Sequence, residues 1–354
     1  MGAGPGAGPE VTGRVTETAM KAVVVRSYCA PSQLRVTEAG RPRPAAGEAL
    51  VRVRATSVNP YDWHSFIGVP YAARLIPGGL GLRAPKIAVP GCDMAGQVEA
   101  VGADVREFRP GDAVFALLHE GGFAEYACVR ADLLARKPAN LSYEQAAAVP
   151  MAAVTALVAL REEGRIQPGQ RVLVNGASGG VGTFAVQLAT AFGASVTGVC
   201  SAKNAGLVRS LGAEEVIDYL TEDFTRRGQR YDLIIDIAGS RPAAACRRVL
   251  TRKGTLVIVG GPNGRWLQPV THAFGSLLLA PLVPQRITMA EIVRYPRPEQ
   301  LLNTLTELIE AGKVTPVIDR HYPFADIGEA VSYQEKGHAA GKVVVTVPAG
   351  AGAP

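Results

Sequence analysis

Cysteine is scarce in this chain of 354 residues. The five that occur, Cys29, Cys92, Cys128, Cys200 and Cys246, lie far apart and include no C-x-x-C pair. They assemble neither a disulfide framework nor a set of four closely spaced zinc-binding thiolates, and a reduced, cytoplasmic protein is the expectation. Long apolar runs are missing too. The two most apolar stretches, 145–160 and 273–283, are too short to cross a bilayer and are broken by Pro150 and Pro281, so no membrane partner is expected. Residues 1–19 are rich in Gly, Ala and Pro, lack the apolar segment of a signal peptide, and read as a disordered tail. Neither charge sign dominates: 37 basic against 31 acidic side chains leave +6, which demands no polyanionic partner. The basic clusters at 225–230, Arg247-Arg248 and Arg252-Lys253 carry no interleaved aromatic residues on which bases would stack. They read as solvated faces, and nucleic acid is an unlikely partner.

What the chain does have is glycine in a pattern. From Arg171 to Ala189 a short β-branched run, Val172 to Val174, meets a glycine-rich turn and then Val181, Phe184, Ala185 and Leu188, spaced as one face of a helix. This reads as strand, tight turn, helix. Ala177, Gly179 and Gly182 fill a G-x-G-x-x-G frame with Ala in its first slot, and Gly176, Gly179 and Gly182 recur every third residue. Bare backbone there lets a pyrophosphate approach the helix N-terminus, so Gly176, Ala177, Ser178, Gly179, Gly180, Val181 and Gly182 are expected cofactor contacts. Further strands are expected at 195–200, 216–218, 232–237 and 255–259, with helices at about 180–192, 204–211 and 242–250 between them. That alternation predicts an α/β fold with a parallel, doubly wound sheet. Upstream, 20–26, 34–38 and 48–56 read as short strands punctuated by Gly and Pro, the start of a separate, closed β-rich domain. Hydrophobic content of 47% suffices for two cores.

Several ordered motifs carry a resemblance: Ser57-Val-Asn-Pro-Tyr-Asp62, Val89-Pro-Gly-Cys-Asp-Met-Ala-Gly-Gln-Val98, Val101-Gly-Ala-Asp-Val105, Phe108-Arg-Pro-Gly-Asp-Ala-Val114, Gly122-Phe-Ala-Glu-Tyr126, Thr155-Ala156, the glycine turn itself, and Gly341-Lys-Val-Val-Val345. Over roughly 20–347 the chain resembles the medium-chain dehydrogenase/reductase superfamily, in its zinc-free quinone oxidoreductase and enone reductase branch. The resemblance implies a GroES-like catalytic domain over 20–141 and 313–347, a Rossmann cofactor domain over 142–312, and a substrate cleft between them. It implies a homodimer, and it adds Thr155, Tyr219 and Lys342 to the cofactor contacts. Leu301, Leu302, Leu305, Leu308 and Ile309 are expected on one face of a helix over 296–311 that returns the chain to the first domain. The segment 273–283 fits either the substrate pocket or the dimer interface.

The superfamily's zinc enzymes carry Gly-His-Glu where this chain has Gly91-Cys92-Asp93, and the Cys expected near Asn59-Pro-Tyr-Asp62 is missing, so no metal is expected. Hydride addition to a quinone or an α,β-unsaturated carbonyl spreads the incoming charge onto an oxygen that a hydrogen-bond donor can stabilise. Asn59, Tyr61, His64 and Tyr71 are the candidate donors, Tyr71 lying where related enoyl-thioester reductases carry a tyrosine. For the cofactor, an NAD site calls for an acidic residue after the second strand, yet Cys200-Ser-Ala-Lys-Asn204 supplies none before Glu214. Ser201 and Lys203 suit a 2′-phosphate instead, and NADPH is the expected cofactor. The alternatives are an enoyl-thioester reductase, a zinc-type alcohol dehydrogenase, or a non-catalytic NADPH- or RNA-binding protein.

Overall fold

A computed structural model describes residues 19–75, 80–261, 270–290 and 298–348; the tail expected over 1–18 falls outside them. The N-terminal part opens with β1 (Ala19–Val23) and β2 (Val36–Gly40), which pair antiparallel. Ala19 pairs with Gly40, so regular structure begins one residue inside the segment expected as tail. There follow β3 (Glu48–Val58), α1 (Pro60–Ile67), β4 (Asp93–Val101), β5 (Ala113–Leu117), β6 (Tyr126–Arg130) and β7 (Leu134–Arg136). Two short helices, α2 (Tyr143–Ala147) and α3 (Pro150–Leu157), lead to β8 (Arg171–Asn175), α4 (Gly180–Ala191), β9 (Ser195–Cys200), α5 (Ala205–Ser210) and β10 (Glu215–Asp218). Then come β11 (Tyr231–Asp236), α6 (Ala243–Cys246), β12 (Leu250–Ile258), α7 (Val270–Leu279), β13 (Arg286–Met289), α8 (Pro298–Glu310), β14 (Ile318–Pro323), α9 (Ile327–Glu335) and β15 (Lys342–Thr346).

Among the described residues the second part holds a parallel six-stranded sheet in the order β10-β9-β8-β11-β12-β13. The chain winds outward one way from β8 and the other way from β11, so the switch point lies between these two strands and any ligand crevice belongs at their carboxyl ends. Val172, Val174, Ile235 and Val257 face one core with α3 and α4, whereas Leu173, Ile234, Leu256 and Ile258 face a second core on the other side. Burial on both faces is why these strands read as unbroken apolar runs. The helix expected over 242–250 is shorter than its pattern: α6 ends at Cys246, one 3-10 turn follows, and Leu250 already pairs with Tyr231 of β11. The edge strand β13 was absent from the sequence pattern. It is fastened by Glu163, whose carboxylate accepts from Arg286 Nη2 at 3.1 Å and from Thr288 Oγ1 at 2.7 Å.

The first part is a β-rich, GroES-like domain, and the C-terminal segment closes it. Its seven-stranded sheet runs β14-β15-β3-β4-β5-β7, with β6 also on β3. Val343 pairs with Val58 and Val345 with Thr56, which carries Lys342 to the end of β3 where Asn59 begins the turn into α1. Along β3 the fully buried Val51 and Ala55 and the nearly buried Val53 alternate with half-buried Arg52 and Arg54. The short helix α2, capped reciprocally by Ser142 and Gln145, packs on β3 and β4 although it follows residue 141 in the chain. α8 buries Leu301, Leu302, Leu305 and Ile309, and its C-terminal end is tied to the first domain by Asn140 Nδ2 donating to the Ile309 carbonyl at 2.9 Å.

Candidate active site

The glycine turn is built by close approach. Gly176 takes φ +93°, which favours glycine, and a Cβ on Gly182 would lie 2.1 Å from the Gly176 carbonyl oxygen. The helix can therefore start flush against the strand end. Ala177 is fully buried, and Ser178 Oγ accepts from Asn204 Nδ2 at 3.1 Å, joining the turn to the segment after β9. Across the switch point Asn175 Nδ2 donates to Asp236 Oδ1 at 2.7 Å.

A cleft of about 310 Å³ opens here, lined by Gly176, Ser178, Gly179, Ser201, Lys203 and Tyr219 among others. These are residues the sequence picked out separately, and the fold brings them together. Gly180, Val181 and Gly182 form the first turn of α4 beside it. Among the described residues no Asp or Glu lines the cleft, while Lys203 and His338 do. Gly337, His338 and Ala339 reach over from the segment before β15 and close one side. Sequence reasoning missed them, because nothing in Lys-Gly-His-Ala-Ala marks a contact made across a domain boundary. The glycine cradle, the helix N-terminus and the cationic end together fit a phosphorylated dinucleotide.

Thr155 and Lys342, also expected as cofactor contacts, are not among the residues that line this cleft. Thr155 is buried in α3 and its hydroxyl donates to the Met151 carbonyl at 2.6 Å. Lys342 is buried, and its ammonium meets Asp93 Oδ2 at 3.0 Å and the side-chain oxygen of Asn59. Asn59 Nδ2 donates to Asp93 Oδ2 at 2.8 Å, so its amide is held at both ends and is no free donor for a substrate. Beneath it Asp62 accepts from the backbone amides of Asn59 at 2.8 Å and Cys92 at 3.0 Å. Burial, then the Asp93 charge, push the Asp62 carboxyl up to about 7, while the Asn59 amide, Cys92 and Lys342 pull it down. Burial, reinforced by both carboxylates, also raises the Cys92 thiol well above its ordinary value.

The four expected donors do not converge. Tyr61, in the first turn of α1, is 40% exposed and its hydroxyl lies 3.0 Å from His119 Nδ1. Burial, with Cys92, Asp62 and Glu120 nearby, pushes this phenol up to about 12. His64 turns away: its Nδ1 bonds the Val69 carbonyl at 2.7 Å, its ring lies against Trp63, and burial lowers its pKa. Tyr71 sits in a 3-10 turn with the Arg74 guanidinium 4.9 Å from its ring. His119, just past β5 and held there by the Leu118 amide on the Cys92 carbonyl, went unnoticed in the sequence because one histidine after an apolar run carries no signal. No three His, Cys, Asp or Glu side chains among the described residues are arranged to hold a metal ion.

Comparison with known proteins agrees with this architecture. Residues 45–139 match the alcohol dehydrogenase GroES-like domain, and residues 211–345 match the family described as zinc-binding dehydrogenase. The chain is 34% identical over 319 residues to the chloroplast envelope quinone oxidoreductase homolog of Arabidopsis thaliana, covering 86% of this chain and 91% of that protein. It is 35% identical over 323 residues to the mitochondrial NAD(P)H oxidoreductase RTN4IP1 of Mus musculus, covering 85% and 82%. Among solved structures, the quinone oxidoreductase of Coxiella burnetii superposes with a TM-score of 0.80 at 28% identity, covering 94% of this chain and 100% of that one. The chain therefore belongs to the medium-chain dehydrogenase/reductase superfamily, in its quinone oxidoreductase branch, and is an oxidoreductase.

Proposed function

We propose that the protein is an NADPH-dependent reductase of quinones or α,β-unsaturated carbonyls, acting as a homodimer in the cytoplasm. The observation that carries the cofactor choice is the cleft at the end of β9, where Ser201 and Lys203 stand in the lining and, among the described residues, no carboxylate does. A carboxylate there would bind a ribose 2′-hydroxyl; a lysine and a serine suit a 2′-phosphate. The bound nicotinamide would supply the hydride. Tyr61 keeps its proton across the working pH range, and beside it His119 offers a path from solvent, so the phenol can donate to the acceptor oxygen as charge develops there. Asn59, Lys342 and Asp93 form a buried, mutually hydrogen-bonded set at the start of α1.

The quinone oxidoreductase names of the Arabidopsis and Coxiella proteins support a quinone as acceptor, and conjugation explains why an enone would serve equally. In both, a single hydrogen-bond donor at oxygen stabilises the charge that hydride delivers. The outer edge of β13 and the exposed Phe274, Leu278 and Leu282 support a second copy packing there. All five cysteines are free thiols, as a reducing compartment requires. No helix among the described residues is long and apolar enough to cross a membrane. The division at 20–141 with 313–347 and 142–312 is the working domain assignment.

The test is NADPH oxidation followed at 1:1 acceptor stoichiometry with a panel of quinones, enones, enals, enoyl thioesters and saturated carbonyls of matching size. Conjugated acceptors should turn over far faster. Equal rates with saturated ketones would show an ordinary carbonyl reductase, and RNA binding without NADPH oxidation would show a non-catalytic protein.

A further inference from the structure

The Asp93 carboxylate has no solvent exposure and collects donors from four places in the chain. Its Oδ1 accepts from the Met151 amide in the first turn of α3 at 2.7 Å. Its Oδ2 accepts from Ser57 Oγ on β3 at 2.5 Å, from Asn59 Nδ2 at 2.8 Å and from Lys342 Nζ on β15 at 3.0 Å. Because Lys342 also donates to the Asn59 oxygen, the Asn59 amide has one allowed orientation. Flipping it would set its NH2 against the ammonium and its oxygen against the carboxylate. The Lys342 stem reaches the other domain as well: a Cβ on Gly180, at the head of α4, would lie 3.1 Å from Lys342 Cδ.

Solvation alone does not explain such a pair. Taking two charges out of water offsets most of their attraction, and an apolar pair of the same volume often leaves a protein equally stable. What this pair supplies is geometry, since one carboxylate joins β3, α3 and β15 and one lysine joins that carboxylate to the cofactor helix. The geometry points to Lys342 and Asp93 as a positioning pair for the reaction proposed above, fixing Asn59 and the head of α4 while touching neither cofactor nor acceptor. The inference rests on that reading only for the rate that is measured.

Its test is a double-mutant cycle of Lys342→Met, Asp93→Asn and the double variant, each read by thermal unfolding, by NADPH fluorescence titration, and by kcat and KM with a quinone. Each single change leaves a buried charge or polar group without its partner, so Tm should fall by roughly 4–7 °C, and the double variant should recover part of that loss. In Lys342→Met kcat should drop about 10²-fold, the scale of a misplacement near 1 Å, with the NADPH Kd changed less than about threefold. A Kd weakened tenfold or more with kcat intact would make Lys342 a cofactor ligand. Strict additivity of the two changes would dissolve the pair.

A pH readout separates positioning from mere filling of space. The titratable groups around Asp62 are Asp93, Lys342, Cys92 and Tyr61, with Asp93 raising its pKa and Lys342 lowering it. The pH midpoint of the Tm change should therefore move up in Lys342→Met and down in Asp93→Asn. Unmoved midpoints would refute the arrangement even if Lys342→Met failed to fold, because Asp93→Asn carries half the test. The unfolding and pH arms need no substrate, so a failure of the proposed activity stays distinct from a failure of the pair.

Discussion

The Tyr61 hydroxyl and His119 Nδ1 lie 3.0 Å apart, one from the first turn of α1 and the other from just beyond β5. Tyr61 is 40% exposed, while the nearby Asn59 amide and His64 Nδ1 are engaged in hydrogen bonds to Asp93 and to the Val69 carbonyl. Tyr61→Phe should lower kcat about 10²-fold with enone acceptors, the usual scale of a positioned proton donor. The loss should be smaller with quinones, whose reduced oxygens take protons from water. His119→Ala should cost less than Tyr61→Phe, and the NADPH Kd should stay the same in both. Steady-state kinetics with a matched enone and quinone check this; an unchanged Tyr61→Phe with either acceptor would remove Tyr61 from the mechanism.

How much of this was legible in the sequence depends on how local each feature is. The strand, glycine turn and helix over 171–191 were readable because the constraint at Gly182 lies within a single loop, whereas the pairing of β15 with β3 was expected only through the family resemblance. The helix expected over 242–250 ended early because β11 recruits Leu250 as a strand partner, a contact no local pattern announces. β13, Arg286-Ile-Thr-Met289, is too short for its alternation to stand out, and it exists because Glu163 and β12 hold it. The same reason hid the Asp93 and Lys342 pair. Each is a lone charge inside an apolar run, which is itself a usable signal, since such a charge must be paired if buried; which charge pairs with which is settled only by the fold.

Asp62 gives a pH prediction whose sign follows from its environment. Its folded pKa of about 7 lies above the ordinary carboxylate value near 3.9, so the acid form is favoured in the folded protein. The stability this lends is present in full below about pH 4 and is lost as pH rises through about 7, after which it stays flat. Asp62→Asn cannot titrate, and the difference in Tm between wild type and variant should change between about pH 4 and 7 and level off above. The variant should be less stable at low pH, because an amide replaces one of two acceptors that Asn59 and Cys92 amides need. A pH-independent difference across that window would mean Asp62 ionises normally.

The apolar face of α7 gives a prediction about assembly. Phe274 is 63% exposed and Leu278 is 73% exposed, four residues apart on one helix. Leu278→Asp should place a charge in the contact proposed for two copies, and light scattering after size exclusion should show the mass falling from dimer to monomer at micromolar concentration. A wild type that is monomeric at the same concentration would overturn the homodimer, and a variant that remains dimeric would move the interface elsewhere.

The cofactor assignment turns on Lys203, which lines the dinucleotide cleft together with Ser201 and Tyr219 just past the end of β9. A charge-assisted hydrogen bond to a 2′-phosphate contributes roughly 1.5–3 kcal/mol, or about ten- to a hundred-and-fifty-fold in affinity. Lys203 is exposed, so solvent and salt screen it and the lower end of that range applies, about tenfold. Lys203→Ala should thus weaken NADPH about tenfold while NADH binding barely changes, since NADH has no 2′-phosphate to lose. The loss should shrink as salt is raised from 50 to 500 mM, because the interaction removed is the one that salt screens. The maximal rate should change little, because the 2′-phosphate takes no part in the hydride transfer. Fluorescence titration of both cofactors at two salt concentrations is enough to decide. If the variant loses both cofactors equally, Lys203 supports the loop and not the phosphate, and a wild type that binds NADH more tightly than NADPH would overturn the assignment.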